Sequence, residues 1–376
     1  MSFEFERPAD AVRPERAATR RASPSVRAVA RALPPHRVEQ EHLIAALRGL
    51  WASQHFNVDR LEDLHRAVGV GARHLALPIE AYPALDTFQK RNDAWTRVAV
   101  ELGEVAARDA LAKAAIGPEE IDAIFFVTVT GLATPSIDAR LVDRLGLRTD
   151  VVRTPIFGLG CVAGAAGLAR ASDWLRAYPD KRALLVAVEL CSLTLQREDL
   201  SVANVIASGL FGDGAAAVVL EGADVGRKGR LPGPRIAATR SVFYRDTERI
   251  MGWDFVDGGF KVVLSPKVPN LVRDVLARDV DRFLGDHDLD RAAIEHVVAH
   301  TGGPKVLQAI EAALSLPDGA LARSWRSLRE VGNLSSASVL FVLGDLIDEG
   351  AARAGDRGLL LAMGPGFCSE LVLLEW

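Results

Sequence analysis

The chain has 376 residues, 49% of them hydrophobic and 25% charged, with a formal net charge of −4. That length exceeds the roughly 250–300 residues at which one core stops growing, so two fused units are expected, and the charge balance gives no electrostatic grip on nucleic acid. No apolar run approaches the roughly 18 residues of a membrane span, nothing resembles a secretory signal, and the odd cysteines Cys161, Cys191 and Cys368 suit a reducing cytoplasm better than a disulfide framework.

Residues 1–25 lack hydrophobic periodicity. Arg7, Arg13, Arg16, Arg20 and Arg21 mix there with Glu4, Glu6, Asp10 and Glu15, so a flexible leader is expected. SVRAVARALPPHRV reads as a strand ended by a Pro34–Pro35 turn, HLIAALRGLWA and RLEDLHRAVGV have helical spacing, and ARHLALP closes the segment. A long amphipathic helix is predicted over 95–114, stopped by Gly117 and Pro118. Strand IDAIFFVTVTG, helix SIDARLVDRLGL, strand VVRTPIF, helix 161–178 and strand ALLVAVELC follow. VIASGLFGDGAAAVVLEG reads as a turn into another strand, and the stretch GADVGRKGRLPGPR separates an N-terminal unit, 26–228, from a C-terminal unit, 229–376. The second unit is read as helix 268–284, strand 294–300, helices 304–314 and 333–348, strand 358–364 and a terminal strand ELVLLEW. This alternation implies an α/β fold of stacked layers.

The two units share a pattern. One sequence offset carries Cys161 in LGCVAGAAGLARA onto Asn333 in VGNLSSASVLFVL, and Thr128 in IDAIFFVTVTG onto His300 in IEHVVAHTGGP. ALLVAVELCS (183–192) similarly matches GLLLAMGPGF (358–367). A duplicated unit therefore places a cysteine, a histidine and an asparagine at comparable strand or helix ends, a convergence that nucleophilic catalysis requires.

Each residue also has a plainer reading. Cys161 follows Gly158 and Gly160 at a helix start, where the dipole lowers a thiol pKa; it is equally well placed as a small buried hydrophobe. Gly164 and Gly167 inside that helix cost about 1 kcal/mol each against alanine, so close backbone packing is expected. Gly158-Leu-Gly160-Cys-Val-Ala163 also satisfies a dinucleotide-binding G-x-G-x-x-A pattern, with Glu189 at the next strand end as the ribose acid. His300 is either a cleft residue or a satisfied core histidine. His296 shares its strand face, but no nearby acid or cysteine offers a third metal ligand. Asn333 also suits a helix N-cap.

With the Gly160-Cys161 elbow, LFGDGAAA (210–217), HTGGPKVL (300–307), GNLSSASVLF (332–341) and GPGF (364–367), the chain resembles the type III polyketide synthases, the chalcone synthase family, over roughly residues 25–376. The resemblance implies a thiolase-type αβαβα sandwich of two duplicated halves, working as a homodimer on acyl-CoA and malonyl-CoA, with no metal and no cofactor beyond the CoA thioesters. Cys161 would carry the acyl chain as a thioester, and His300 and Asn333 would stabilise the oxyanion and the enolate left by decarboxylation. Phe211 and Phe260 would gate the cavity, with imidazolium at His300 lowering the Cys161 pKa. Thr130 and Cys191 match positions lining an acyl tunnel in mycobacterial alkylpyrone synthases, Met251 a position that sets cavity volume, and Arg73 is a candidate for the CoA phosphates.

The chain departs from the plant pattern at Thr301, where plants have proline, and at Thr134, where a methionine reaches across the dimer. It departs again at Val129, in place of a threonine in the network near Glu189 and Ser335 linked to aldol closure. The expected product is therefore an alkyl-α-pyrone made from a fatty acyl-CoA starter. A resorcinol, or a single condensation on a carrier protein as in the ketoacyl-ACP synthases, is the alternative.

Overall fold

The computed structural model describes residues 23–51, 58–225 and 233–376; residues 1–22 of the expected leader and the middle of the expected linker lie outside these. The N-terminal half runs β1 (Ser25–Ala32), β2 (His36–Glu39), α1 (Gln40–Trp51), α2 (Val58–Ala67), β3 (Ala72–Leu75), α3 (Phe88–Ala114) and β4 (Ala123–Thr128). It continues through α4 (Ile137–Leu145), β5 (Val152–Phe157), α5 (Ala163–Ala177), β6 (Arg182–Leu190), α6 (Val202–Leu210) and β7 (Asp213–Glu221). The C-terminal half runs β8 (Arg235–Phe243), β9 (Met251–Val256), β10 (Gly259–Leu264), α7 (Val268–Gly285), β11 (His296–Ala299) and α8 (Pro304–Leu314). It ends with α9 (Ala322–Val331), α10 (Ser336–Asp348), β12 (Arg357–Gly364) and β13 (Cys368–Glu375).

Nine strands hydrogen-bond in the order β11-β12-β13-β8-β1-β7-β6-β4-β5. The order is almost palindromic: β8, β13, β12 and β11 mirror β1, β7, β6 and β4, and the two sides meet at the pair Ser25 and Arg235. Successive strand residues face opposite ways. In β4, Ala123, Phe125 and Val127 pack on a central layer containing α5 and α10, while Ile124 and Phe126 pack outward with α3 and α4. In β12, Leu360 and Ala362 face that centre, and Leu359, Leu361 and Met363 face α7 and α8. Five layers result, the αβαβα sandwich expected.

The central helices explain their unusual composition. Covered on both sides by sheets, α5 and α10 are apolar or small almost all round. A Cβ on Gly164 would stand 2.1 Å from the carbonyl oxygen of Ser336, so the two helices touch backbone to backbone. Burial of each large side chain in this layer contributes about 1.5–3 kcal/mol, which outweighs the propensity cost of two glycines.

Several elements differ from the sequence reading. Helix α3 starts at Phe88, because Thr87 Oγ1 accepts from the Lys90 amide and caps it ahead of its apolar stripe. Residues 202–210 form a helix rather than a turn, capped by Ser201, whose side chain accepts from Asn204 N. Strand β8, the hairpin β9–β10 and helix α9 were not anticipated.

Candidate active site

Strand β5 delivers the chain to Gly160, where two constraints demand glycine. Its φ is +53°, and a Cβ at this position would stand 2.7 Å from the Pro365 ring. Cys161 then sits in a single 3₁₀ turn, Gly160–Val162, before α5 begins. From the other half, β11 ends just before His300, and Asn333 precedes α10. All three side chains line one cavity of about 610 Å³. The duplicated strand and helix ends therefore converge as the repeat implied.

Local hydrogen bonds orient them. Asn333 Oδ1 accepts from Ser335 N at 2.8 Å and from Ser338 Oγ at 3.4 Å, which leaves the amide nitrogen as its donor end, towards the Cys161 sulfur. The Cys161 thiol donates to Ser335 Oγ at 3.7 Å. Ser335 itself has φ +47°, a strained value for a residue with a side chain, held by that bond to Asn333. Both ring nitrogens of His300 are buried without a protein partner among the described residues.

Burial dominates the electrostatics and corrects one expectation. It pushes the Cys161 thiol up to about 12, with the Glu189 charge adding to it; hydrogen bonds from Ser335 and Asn333 pull only partly the other way. The same desolvation pushes His300 down to about 4, which works against the imidazolium expected to lower the Cys161 pKa. A thiol and an imidazole thus line one cavity, an arrangement in which a nearby base can take the thiol proton as an electrophile arrives.

The N-terminal chalcone and stilbene synthase family model matches residues 12–225, and the C-terminal one matches 235–375. The chain belongs to the chalcone and stilbene synthase family. It is 51% identical to the 1,3,6,8-tetrahydroxynaphthalene synthase of Streptomyces peucetius subsp. caesius, over 94% of this chain and 93% of that protein. It is 39% identical to a putative chalcone synthase of Bacillus subtilis (strain 168), over 92% and 96%. The crystal structure of 1,3,6,8-tetrahydroxynaphthalene synthase from Streptomyces coelicolor A3(2), a bacterial type III polyketide synthase, superposes with a TM-score of 0.87 at 33% identity, covering 94% of this chain and 99% of that one. This protein is thus a type III polyketide synthase, an acyltransferase that condenses with decarboxylation.

The remaining residues expected at the synthase's site divide. Thr130, Cys191, Phe211, Met251 and Ser335 line the cavity. A second, mainly apolar pocket of about 210 Å³ adjoins it and shares Cys191, Phe211, Trp253 and Val262. Phe260 lines neither; it is buried in a ring cluster with Phe88, Trp253 and Phe255, at centroid distances of 5.3–5.9 Å. Val262, two residues on along the same strand face, lines both pockets instead. Trp253, missed in the sequence, bears the same relation to Met251, and period-two spacing was the signal for both. Thr134 lies on the exposed turn before α4, outside this chain's cavity lining. Arg73 is 1% exposed and its guanidinium is bound to backbone carbonyls, so it cannot meet CoA phosphates. His296 bonds Asp356 at 2.9 Å.

Glu189 lies behind the cavity wall, fully buried, with its pKa raised by desolvation to about 7. It accepts from Thr130 Oγ1 at 2.9 Å and Val129 N at 3.1 Å, and its other oxygen accepts from Ser336 Oγ. The hydroxyl missing at Val129 is therefore supplied next door, by a threonine that faces the cavity.

Proposed function

We propose that this synthase builds a poly-β-keto chain on Cys161 from malonyl-CoA units and closes it to a polyhydroxylated aromatic product of the tetrahydroxynaphthalene type. In the first step the Cys161 sulfur attacks an acyl-CoA carbonyl, its proton passes to His300, and His300 hands that proton to the departing CoA sulfur, which leaves as the thiol. Malonyl-CoA then loses carbon dioxide. The enolate oxygen is held by the Asn333 amide and by the His300 N–H, and the enolate carbon attacks the Cys161 thioester. The Cys161 sulfur leaves and takes up a proton from solvent, and the extended chain, now on CoA, is loaded back onto Cys161 for the next round. Preorganised donors of this kind contribute about 3–4 kcal/mol at a developing oxyanion. Nothing beyond CoA thioesters is consumed. Carrier-protein donors are the alternative supply.

The observation that carries the reading is the Thr130–Glu189 pair at the cavity wall. A carboxyl poised near pH 7 and wired to a wall hydroxyl suits proton shuttling in carbon–carbon ring closure. The relative named a tetrahydroxynaphthalene synthase, 51% identical across nearly the whole chain, supports the same product class. A second reading, the alkyl-α-pyrone from a fatty acyl starter, is favoured by the apolar side pocket, where each buried methylene contributes about 0.8 kcal/mol. Malonyl-CoA alone should yield a coloured, oxidisable polyphenol seen by mass spectrometry. A product formed only when a long acyl-CoA is added would replace this reading with the pyrone.

The same proposal includes a homodimer in the cytoplasm. Among the described residues, strand β5 is an unpaired sheet edge with Val152 and Phe157 exposed, an arrangement that invites a partner strand. Among the described residues no helix is long and apolar enough to cross a membrane. A monomeric mass by light scattering would remove the dimer from the proposal.

A further inference from the structure

Arg73 lies on β3, nearly inaccessible, and a buried cation is costly unless well paired. Its Nη1 donates to the carbonyls of Ser208 at 3.0 Å and Phe211 at 2.8 Å, and its Nη2 donates to Gly209 O and Gln40 Oε1. Desolvation lowers its pKa to about 10, offset in part by the Asp213 carboxylate, so it keeps its charge at neutral pH. Three of those acceptors belong to the end of α6 and the residue after it, where helix carbonyls lack partners and carry negative charge.

The same stretch is tied on its other side to the C-terminal half. Asn333 N donates to Leu210 O at 2.9 Å, and Gly212 N donates to Asn333 O at 3.0 Å. Residues 210–212 are thus held between a guanidinium and the backbone of Asn333. Phe211, in the middle, lines both the main cavity and the side pocket.

We propose that Arg73 is a positioning residue: by fixing the carbonyls of Ser208, Gly209 and Phe211 it sets both the Phe211 wall and the Asn333 carboxamide. The inference rests on the proposed role of Asn333 in malonyl decarboxylation. It depends on the planar fork of arginine, since a lysine ammonium cannot reach three carbonyls at fixed angles. Cys161 is held by Gly160 and α5, and its hydrogen bond to Ser335 connects it to the Asn333 end of the clamp.

The test compares two half-reactions in the full-length protein: alkylation of Cys161 by iodoacetamide, and carbon dioxide release from malonyl-CoA without starter. Arg73→Lys is the main variant. Gln40→Met, which removes the Oε1 acceptor of Arg73 and the Nε2 donor to Gly209 O and His65 O but keeps the guanidinium charge, is the second in case the first folds poorly. A displacement of the carboxamide should lower the decarboxylation kcat by about 10- to 100-fold in Arg73→Lys and less in Gln40→Met, with KM and the alkylation rate changing much less. The proposal is overturned if both half-reactions change by the same factor, no change included, or in the opposite order, as a general loss of folded protein would give. Asn333→Ala serves as the reference. If it leaves decarboxylation intact, the catalytic reading itself fails; if it impairs decarboxylation while both clamp variants do not, only the positioning role is lost.

Discussion

Helices α5 and α10 occupy equivalent places in the two halves, and each is approached through a positive-φ glycine, Gly160 (φ +53°) and Gly332 (φ +76°). After the glycine one half places a thiol and the other a carboxamide. The thiol end has its pKa raised by desolvation, while the carboxamide end is braced by Ser335, Ser338 and the Phe211 segment. Duplication supplied two facing helix starts, and divergence made one the carrier of the chain and the other its polar support. The halves also differ at their strand ends: Glu189, near the end of β6, corresponds to Gly364 at the end of β12, so this buried acid belongs to one half only.

The sharpest way to break the comparison is to remove the thiol. Cys161→Ala should abolish the acyl adduct seen by intact-mass spectrometry and lower product formation by on the order of 10³-fold or more. A retained adduct would transfer the nucleophile's role to another residue such as Cys191. Asn333→Ala should lower malonyl decarboxylation by about 10²–10³-fold while acyl loading falls far less. If loading falls first, the two helix starts do not divide the work as argued.

The buried acid gives a pH test. Glu189 has a folded pKa of about 7 against 4.5 for the free group, so the folded protein binds this proton more tightly than the unfolded chain does. Its contribution is present below pH 4.5 and is lost as pH rises through 7, amounting to about 3 kcal/mol. Glu189→Gln should therefore show a flatter urea-stability curve than the parent between pH 5 and 8. Parallel curves would mean that the carboxylate is already ionised at pH 5. Smaller again is Gly164→Ala, which forces α5 away from Ser336 O and should cost about 1–3 kcal/mol in thermal unfolding. An unchanged melting temperature would show that the two helices are not in backbone contact.

Much of this was legible in the sequence because it rests on local pattern. Buried strands such as AIFFVT, glycines ahead of Cys161 and Asn333, and small residues along α5 and α10 specify the layers and the facing helix starts. What was not legible depends on neighbours far away in the chain. Helix α6 is short and contains serine and glycine, so its pattern suggests a turn until α2, β10 and Asn333 pack beside it. Arg73 carries the charge a phosphate site needs, yet its partners lie at Ser208–Phe211 and bury it. The direction of the Cys161 shift is of the same kind: a helix start and a histidine are visible in sequence, but the burial that pushes the thiol up is not.

The gentlest perturbation concerns the wall between the two pockets. Trp253 lines both, stacks edge-on against Phe260 at 5.9 Å, and comes from the hairpin that only the C-terminal half possesses among the described residues. Trp253→Ala should join the 610 Å³ cavity to the 210 Å³ pocket without touching Cys161, His300 or Asn333. Decarboxylation should then stay within about threefold of the parent, because the transition-state donors are unmoved. The product should change instead: competition between malonyl-CoA and a long acyl-CoA starter should shift towards the long chain, whose methylenes gain an apolar berth at about 0.8 kcal/mol each. Packing loss around Phe260 works against this by loosening the hairpin, so Trp253→Phe, which keeps most of the ring contact, should shift the ratio less while retaining full stability. If both variants keep the parental starter preference, the side pocket is sealed by Phe211 and Val262 rather than by Trp253. The single wall that distinguishes a malonyl-built product from an alkyl-tailed one would then lie at the end of α6, on the segment that Arg73 holds.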